Sequence, residues 1–287
     1  MSLRLCHSIW TKPVFQLHSN PIEILKMNMW FISLSVSYAR KLNATIVLHT
    51  DDIGKRIFEY LPYDEIYTSL TDIETSEYFW AAGKIKAQFL EPLGSVHIDG
   101  DVFLKKEGLN NLIVFGENDV LVQSEESINE VYLSHIEMYR RWLGKSKFQQ
   151  IFTPPIKAYN CGLIGFNNEV LKDNYIKNYN QLVGFCSANK NVVKYMAGHT
   201  STFIPDIIAE QMTLPKLVKE ADLKVKFLLP NDENMQYEAI KIGYTHVLGG
   251  NKFAHLDKVK ERLLEVDKEL FYKTKAHIDT LSWSKFG

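Results

Sequence analysis

One stretch near the end of the first third of the chain decides the fold: Val96-His97-Ile98-Asp99-Gly100-Asp101-Val102-Phe103-Leu104. A short apolar run ends there at two aspartates separated by a glycine, and a second apolar run follows. Apolar, β-branched runs of this length predict buried strands. Because ligands of open α/β sheets bind at the carboxyl ends of the strands, we expect the chemistry at this acidic triplet.

The segments on either side of this stretch alternate between short strands and amphipathic helices. This alternation predicts an α/β fold in which crossover helices join parallel strands, and no repeat or linker divides the chain. The predicted strands are Leu3–Trp10, Ala44–His49, Glu65–Tyr67, Ser95–Ile98, Leu112–Phe115, Val120–Gln123, Cys161–Phe166 and Val225–Leu229. The predicted helices are Ile22–Arg40, Ile53–Leu61, Ser76–Leu90 with a serine cap, Asn129–Leu143 and a charged C-terminal helix His255–Asp279.

Composition excludes several classes of protein. The chain has 287 residues, of which 46% are apolar, so it can bury a substantial core and is not a disordered or low-complexity protein. Its 33 basic and 34 acidic residues give a net charge of −1, which offers no electrostatic basis for binding nucleic acid. Three cysteines without Cys-x-x-Cys spacing indicate a reducing compartment.

No signal peptide or membrane span is expected. The most hydrophobic run, Met27–Val36, contains polar residues and falls short of the roughly 20 apolar residues that a membrane helix needs. We therefore expect a soluble, cytoplasmic protein.

Asp99 and Asp101 suit a divalent cation, because carboxylate oxygens are the ligands that Mg²⁺ and Mn²⁺ prefer. An acidic turn is the alternative, since Asp-Gly is a common turn dipeptide. A calcium loop is disfavoured because Phe103 stands where a further oxygen ligand is needed. The same phenylalanine replaces the threonine of an Asp-x-Asp-x-Thr phosphotransferase motif of the haloacid-dehalogenase kind.

A second segment, His246-Val247-Leu248-Gly249-Gly250-Asn251-Lys252, follows a strand-like run Ile242–Thr245. An imidazole can complete a metal shell, glycine amides can approach an anion, and a lysine can hold a phosphate as a point charge. Taken alone, the segment is equally consistent with an ordinary glycine turn.

Together these segments resemble the retaining nucleotide-sugar glycosyltransferases of family 8, the glycogenin and lipopolysaccharide-galactosyltransferase kind. The resemblance is distant and lies nearest to uncharacterised bacterial members. Five motifs occur in order over about residues 1–255: Gly83-Lys84-Ile85-Lys86-Ala87, Asp99-Gly100-Asp101, Asn160-Cys161-Gly162, Glu210-Gln211 and His246-x-x-Gly249-x-x-Lys252. The sequence departs from the family in Phe253-Ala254-His255, where Pro-Trp is usual, which leaves open whether His246 or His255 would bind a metal. It departs again in Glu210, where aspartate is usual, and Asp206 is an alternative for that acid.

The resemblance implies a single GT-A-like domain, with a Rossmann-type mixed sheet flanked by helices. Residues 1–104 would form the nucleotide-binding half, 105–254 the donor and acceptor half, and 255–287 a C-terminal helix. It also implies Mn²⁺ or Mg²⁺ as cofactor, and a UDP-sugar and a glycan or other hydroxyl acceptor as partners. The implied metal ligands are Asp99, Asp101 and His246; the implied catalytic residues are Gln211 and Glu210; the implied donor-binding residues are Asn160, Lys84, Gly249, Gly250 and Lys252.

Two loops at predicted strand ends are candidates for the nucleotide. Trp10 and Lys12 follow the first strand, and Asp51 follows the second. A ring can stack on a base and an acid can bind ribose hydroxyls there, although ordinary loops fit the sequence equally well.

The sequence therefore predicts a metal-dependent, hexosyltransferase-like enzyme that moves a sugar from a nucleotide diphosphate to a hydroxyl acceptor, with retention. Two alternatives remain at this point: a nucleotidyl- or sugar-phosphate-processing enzyme, and an inactive module that binds a nucleotide sugar or a glycan.

Overall fold

The computed structural model of the chain describes residues 3–105, 113–128, 132–133, 136–137, 140–141, 157–188, 206, 208–230, 233–248 and 252–286. Its strands are β1 (Arg4–Ile9), β2 (Thr45–Thr50), β3 (Glu65–Tyr67), β4 (Val96–Ile98), β5 (Val102–Leu104), β6 (Val120–Glu126), β7 (Ala158–Phe166), β8 (Val225–Phe227) and β9 (Tyr244–His246). Its α-helices are α1 (Lys12–Leu17), α2 (Pro21–Arg40), α3 (Asp52–Phe58), α4 (Ala82–Leu90), α5 (Glu169–Ala188), α6 (Thr213–Glu220), α7 (Met235–Ile242), α8 (Leu256–Val266) and α9 (Lys268–Thr280). A π-helical turn (Ile208–Met212) and two 3₁₀ turns (Lys252–His255 and Trp283–Lys285) complete the set.

Within the described residues, seven strands form the central sheet in the order β3-β2-β1-β4-β7-β6-β8. All run in one direction except β7, which is antiparallel to both β4 and β6. The predicted α/β class, with a Rossmann-type mixed sheet flanked by helices, is confirmed. The strand order reverses between β1 and β4, and the crevice at such a reversal is where α/β sheets bind ligands. The loop after β4 begins with Asp99, so the acidic triplet lies at this position.

Helix α2 explains why Met27–Val36 is so hydrophobic. The helix packs against β2 and β5 as well as against α8 and α9, so almost every residue after Met27 is buried. Its serines satisfy their hydroxyls inside the core: Ser33 donates to the carbonyl of Met29, and Ser35 donates to the carbonyl of Val102. A helix covered on several sides is apolar all round without entering a membrane.

The predicted single C-terminal helix His255–Asp279 is wrong, because two helices occupy that segment. Helix α8 ends at Val266. Asp267 leaves the helical conformation and caps α9 by accepting a hydrogen bond from the amide of Leu270 at 2.9 Å. An aspartate cap satisfies a free amide at a helix start, and the sequence pattern did not separate this cap from an ordinary charged position.

Two other predicted boundaries need correction. The helix predicted over Ser76–Leu90 begins at Ala82, and the amide of Ala81 donates to the carboxylate of Asp206 rather than to a serine cap. The strand predicted at Leu112–Phe115 is absent from the part of it that is described, residues 113–115. The helix predicted at Asn129–Leu143 is described only at residues 132–133, 136–137 and 140–141, all of which are helical.

Candidate metal centre

Asp99, Asp101 and His246 converge at one point of the structure. Asp99 follows β4, Asp101 precedes β5, and His246 is the last residue of β9. Strands β5 and β9 pair antiparallel with Val102 opposite His246, which carries the imidazole to the acidic turn. One ligand atom from each residue lies within 4.8 Å of the others, a possible divalent-metal site.

The glycine between the two aspartates is required by packing. A Cβ atom at Gly100 would lie 2.6 Å from Cγ1 of Ile32 on helix α2, closer than side chains approach. The amide of Asp99 donates to the carbonyl of Gly162 at 2.8 Å, and the amide of Val102 donates to the carbonyl of Asp99 at 3.0 Å. These backbone bonds fix the turn, so both carboxylates are held in place by the core behind them.

Asp101 forms an ion pair with a lysine and lies close to His246. The ammonium of Lys252 is 2.6 Å from Oδ2 of Asp101, and Nε2 of His246 is 3.5 Å from Oδ1. Burial alone would raise the pKa of Asp101, but the hydrogen bond from His246 and the charge of Lys252 hold it far below its usual range. Asp101 is therefore an ionised carboxylate in a buried position, and a divalent cation fits the oxygen and nitrogen donors around it.

Lys84 joins the other aspartate to a buried glutamate. Its ammonium lies 3.0 Å from Oδ1 of Asp99 and 2.7 Å from Oε1 of Glu210, and donates a hydrogen bond to the carbonyl of Cys161. Burial would lower the pKa of Lys84, but the charges of Asp99 and Glu210 raise it, so the lysine stays protonated. Burial raises the pKa of Glu210, and the nearby ammonium opposes that effect.

The structure separates the roles that the sequence left open between Glu210 and Asp206. Asp206 is fully buried, accepts hydrogen bonds from the amide of Ala81 and the hydroxyl of Tyr179, and so supports the start of α4. Glu210 is the acid that faces Lys84. Likewise His246, and not the exposed His255, lies with the two aspartates.

Asn160 and Gln211 each contact a residue that the sequence analysis did not select. Asn160 donates to Oε1 of Glu126 at 2.5 Å and accepts from the amide of Gly162 at 2.9 Å. Gln211 accepts from the hydroxyl of Tyr132 at 2.5 Å. Glu126 ends β6 in the structure, whereas the strand predicted from the sequence ends at Gln123, so the sequence carried no signal for Glu126.

The predicted nucleotide residues lie in the loops after β1 and β2. Lys12 places its ammonium 5.7 Å from the ring centre of Trp10 and donates to the carbonyl of Thr75. Both oxygens of Asp51 accept hydrogen bonds from Thr11, and one also accepts from the amide of Gly54. Asp51 therefore ties the two loops together and caps α3. The predicted Gly249 and Gly250 lie outside the described residues.

Two further residues near the triad were missed by the sequence analysis. Gln123 on β6 accepts hydrogen bonds at Oε1 from Tyr244 and His246. His97 on β4 lies with Nδ1 3.7 Å from Oδ1 of Asp99, and burial lowers its pKa well below the ordinary value. His97 lies on β4 two residues before Asp99, whereas Gln123 reaches the triad only through the pairing of distant strands.

Comparison with known families shows the family of this chain. A family of unknown function, DUF6734, matches residues 3–276. The chain belongs to the DUF6734 family. Its similarity to glycosyltransferase family 8 thus remains a resemblance of motifs, and no curated protein matches the sequence.

Among solved structures, this DUF6734 chain is similar to the apo form of mouse xyloside xylosyltransferase 1. The TM-score is 0.41 and the sequence identity 13%, over 80% of this chain and 85% of the mouse chain. A similarity this distant carries no argument about function, so the function is argued from the side chains of the site. None of the helices in the described ranges is both long and apolar enough to cross a membrane.

Proposed function

We propose that this protein is a divalent-metal-dependent, GT-A-like glycosyltransferase that transfers a sugar from a nucleotide diphosphate, preferentially UDP, to a hydroxyl acceptor. The observation that carries the proposal is the convergence of Asp99, Asp101 and His246 within 4.8 Å, with Lys84 and Lys252 paired to the same two carboxylates. The ordered series of motifs shared with family 8 supports the choice of glycosyl transfer over other phosphate chemistry.

The charges of the site suit a departing diphosphate. When the bond between the sugar C1 and the diphosphate oxygen breaks, its electron pair goes to the diphosphate, and positive charge develops on the sugar. Bound Mn²⁺ or Mg²⁺ would act as a Lewis acid that neutralises this anion. Lys252, with the amides of Gly249 and Gly250, adds positive charge where the negative charge grows.

Residues on the other side of the triad would hold the sugar. We assign Gln211 to the face of the ring opposite the leaving group, and Glu210 and Asn160 to its hydroxyls. The oxygen of the acceptor hydroxyl forms the new bond to C1, and its proton passes to the departing diphosphate. Retention of configuration is implied by the family 8 resemblance.

Lys252 has two partners in this scheme. Without the cation its ammonium lies 2.6 Å from Asp101, where it compensates the carboxylate charge. Asp99, Asp101 and His246 would hold a divalent cation whose charge compensates Asp101, and the same lysine would then be available to the diphosphate. The nucleotide would lie along the loops after β1 and β2, against Trp10 and Lys12. Asp51 holds those loops, and Lys84 reaches a donor hydroxyl or phosphate beside Asp99.

A thermal-shift series with UDP tests the metal bridge. We expect stabilisation by UDP with Mn²⁺, about 2.7 kcal/mol at ligand concentrations near 100 times Kd, and little by UDP alone. A chelator should remove the effect. Equal stabilisation by UDP in the presence of the chelator would contradict a site in which the diphosphate reaches the carboxylates through a cation.

Turnover is tested by incubating the protein with UDP-sugars and Mn²⁺ and measuring released UDP. Release supports an enzyme, whereas metal-dependent binding without release supports a nucleotide-sugar-binding module. His246→Ala should abolish metal-dependent binding, and His255→Ala is the matched control because that histidine is exposed and outside the triad. If only His255→Ala removes binding, the third ligand is His255.

A further inference from the structure

The imidazole of His246 is held by three residues that do not belong to the metal triad. Oε1 of Gln123 lies 2.7 Å from Nδ1 of His246, and the hydroxyl of Tyr244 donates to the same oxygen at 2.7 Å. Gln123 and Tyr244 are both buried, with 4% and 3% of their surface exposed. Gly162 lies beneath the ring on the neighbouring strand β7.

The two hydrogen bonds at Gln123 decide which nitrogen of His246 carries the proton. An amide oxygen only accepts, so Nδ1 of His246 must be the protonated nitrogen. Nε2 faces Asp101, 3.5 Å from Oδ1, and is the nitrogen that would bind a cation. A metal-binding histidine needs this arrangement, in which the second ring nitrogen donates to an acceptor that fixes the tautomer and the ring orientation.

Gly162 provides the space for the ring. A Cβ atom at this position would lie 2.2 Å from Cε1 of His246, 2.5 Å from Nδ1 and 2.9 Å from Oε1 of Gln123. No side chain fits there without moving both residues. The amide of Gly162 donates to Oδ1 of Asn160 at 2.9 Å, which fixes the backbone under the ring. The Asn-x-Gly sequence therefore has a physical role at the histidine as well as any role at the donor.

We propose that Gln123, Tyr244 and Gly162 are positioning residues that hold His246 in the Nδ1-protonated tautomer and aim Nε2 at the cation. This inference rests on the proposed metal-dependent function, and it adds residues that contact neither the cation nor the donor. Removing such an outer contact typically weakens metal binding by about 10- to 100-fold.

The first test is calorimetric titration of the metal-free protein with Mn²⁺ alone. We expect Gln123→Met to weaken Mn²⁺ binding about 10- to 100-fold, and Gln123→Glu to retain wild-type binding or improve it because a carboxylate also only accepts. Gly162→Ala should weaken binding, and Asp101→Asn should abolish it. Wild-type binding by Gln123→Met and Gly162→Ala, with loss in Asp101→Asn, overturns the positioning role and leaves the metal centre intact.

If the wild-type protein binds no Mn²⁺, the metal centre fails and the positioning role fails with it. A second measurement needs no variant and so does not depend on how the mutants fold. The ¹⁵N chemical shift of Nδ1 in the His246 ring of the metal-free protein should be that of a protonated nitrogen. An unprotonated Nδ1 overturns the inference.

Discussion

Two clusters of charged side chains lie in this molecule, and their hydrogen bonding differs. The arginine cluster, at the amino ends of β1 and β3, consists of Arg4, Glu65, Glu91, His49 and Tyr67. The metal-centre cluster, at the strand reversal, consists of Asp99, Asp101, Glu210, Lys84 and Lys252. Both bury carboxylates, so burial alone does not distinguish a structural network from a binding site.

In the arginine cluster every carboxylate oxygen has a directional partner. Arg4 donates to both oxygens of Glu65, at 3.0 and 2.7 Å, and to both oxygens of Glu91, at 2.5 and 3.1 Å. His49 and Tyr67 add further bonds to the same acids. A guanidinium fork matches two carboxylates geometrically, and nothing in this arrangement calls for a ligand.

In the metal-centre cluster the carboxylates meet ammonium groups, which are point charges without a fixed fork. The two lysines face three carboxylates, Asp99, Asp101 and Glu210, so this set of groups carries an excess of negative charge. Asp99 keeps 27% of its side chain exposed, between the 36% of Glu65 and the 4% of Glu91, and the arginine cluster also has one carboxylate more than it has lysine or arginine side chains. Charge count and exposure therefore do not distinguish the two clusters. Among the described residues the difference is that Asp99 and Asp101 bring ligand atoms within 4.8 Å of one another and of a nitrogen of His246.

The largest effect is expected from the double variant Asp99→Asn/Asp101→Asn. It should bind no Mn²⁺ in a calorimetric titration, because asparagine keeps the shape of aspartate and loses its charge. The variant also loses the ion pairs to Lys84 and Lys252, so the metal-free variant should unfold at a lower temperature than the wild type, and binding is measured well below that temperature. Retention of metal-dependent activity in this variant would show that the triplet is only a turn.

A variant of the arginine cluster should lose stability and keep its affinity for the metal. Arg4→Met leaves Glu91 buried without its guanidinium, and breaking such a pair costs about 3 kcal/mol. We expect this loss in the free energy of unfolding measured with urea, together with wild-type affinity for Mn²⁺. A loss below about 1 kcal/mol would place this pair with weak surface ion pairs and remove the contrast between the clusters.

The sequence predicts much of the sheet and the two motifs of the triad, because local periodicity and strand-end polarity carry that information. The alternation of strands and helices predicts β1, β2, β3 and β4 as parallel strands, but not their order in the sheet. Asp99 and Asp101 could be chosen because they end an apolar strand. His246 could be chosen because a glycine-rich segment with a lysine follows it.

What the sequence does not reveal are contacts made by pairing distant strands. Gln123 is the first polar residue after the apolar start of β6, and it reaches His246 only because β9 pairs with β5 beside β6 and β7. The start of α4 also involves a contact that local sequence does not show, since Asp206 accepts a hydrogen bond from the amide of Ala81 from 125 positions further along the chain. The helix boundary at Asp267 is set locally by an aspartate cap, but the amphipathic pattern continues across it, so the sequence predicted one helix.

A smaller effect is expected on the pH dependence of stability, through the buried Asp206. Burial raises the pKa of Asp206 from 3.8 to about 8, so between these values the folded protein holds a proton that the unfolded chain releases. The stability of the wild type therefore falls as pH rises through this window and levels off above about pH 8. Asparagine cannot release this proton. The melting temperature of Asp206→Asn minus that of the wild type should therefore increase as the pH is raised from 4 to 8. An unchanging difference would contradict the raised pKa.

Glu65 of the arginine cluster is the control, with the opposite sign. Its hydrogen bonds from Arg4 and Tyr67 lower its pKa from 4.5 to about 2. Its contribution to stability is present above the ordinary carboxyl pKa and is lost as pH falls from 4.5 towards 2. The difference in melting temperature between Glu65→Gln and wild type should therefore change only on the acid side of pH 4.5.

The smallest effect is expected from Lys252→Met, and its sign is the informative part. The ammonium competes with a divalent cation for Asp101, so its removal should tighten the binding of Mn²⁺ alone by up to about fivefold, in line with an ion pair worth at most about 1 kcal/mol. With UDP present the same change should weaken Mn²⁺ binding, because the diphosphate loses a partner. Lys275→Met is the matched control, since Lys275 also forms a 2.6 Å ion pair with an aspartate, far from the site on α9. Weaker binding of Mn²⁺ alone would mean that Lys252 supports the carboxylate instead of competing for it, and the exchange of partners would not occur.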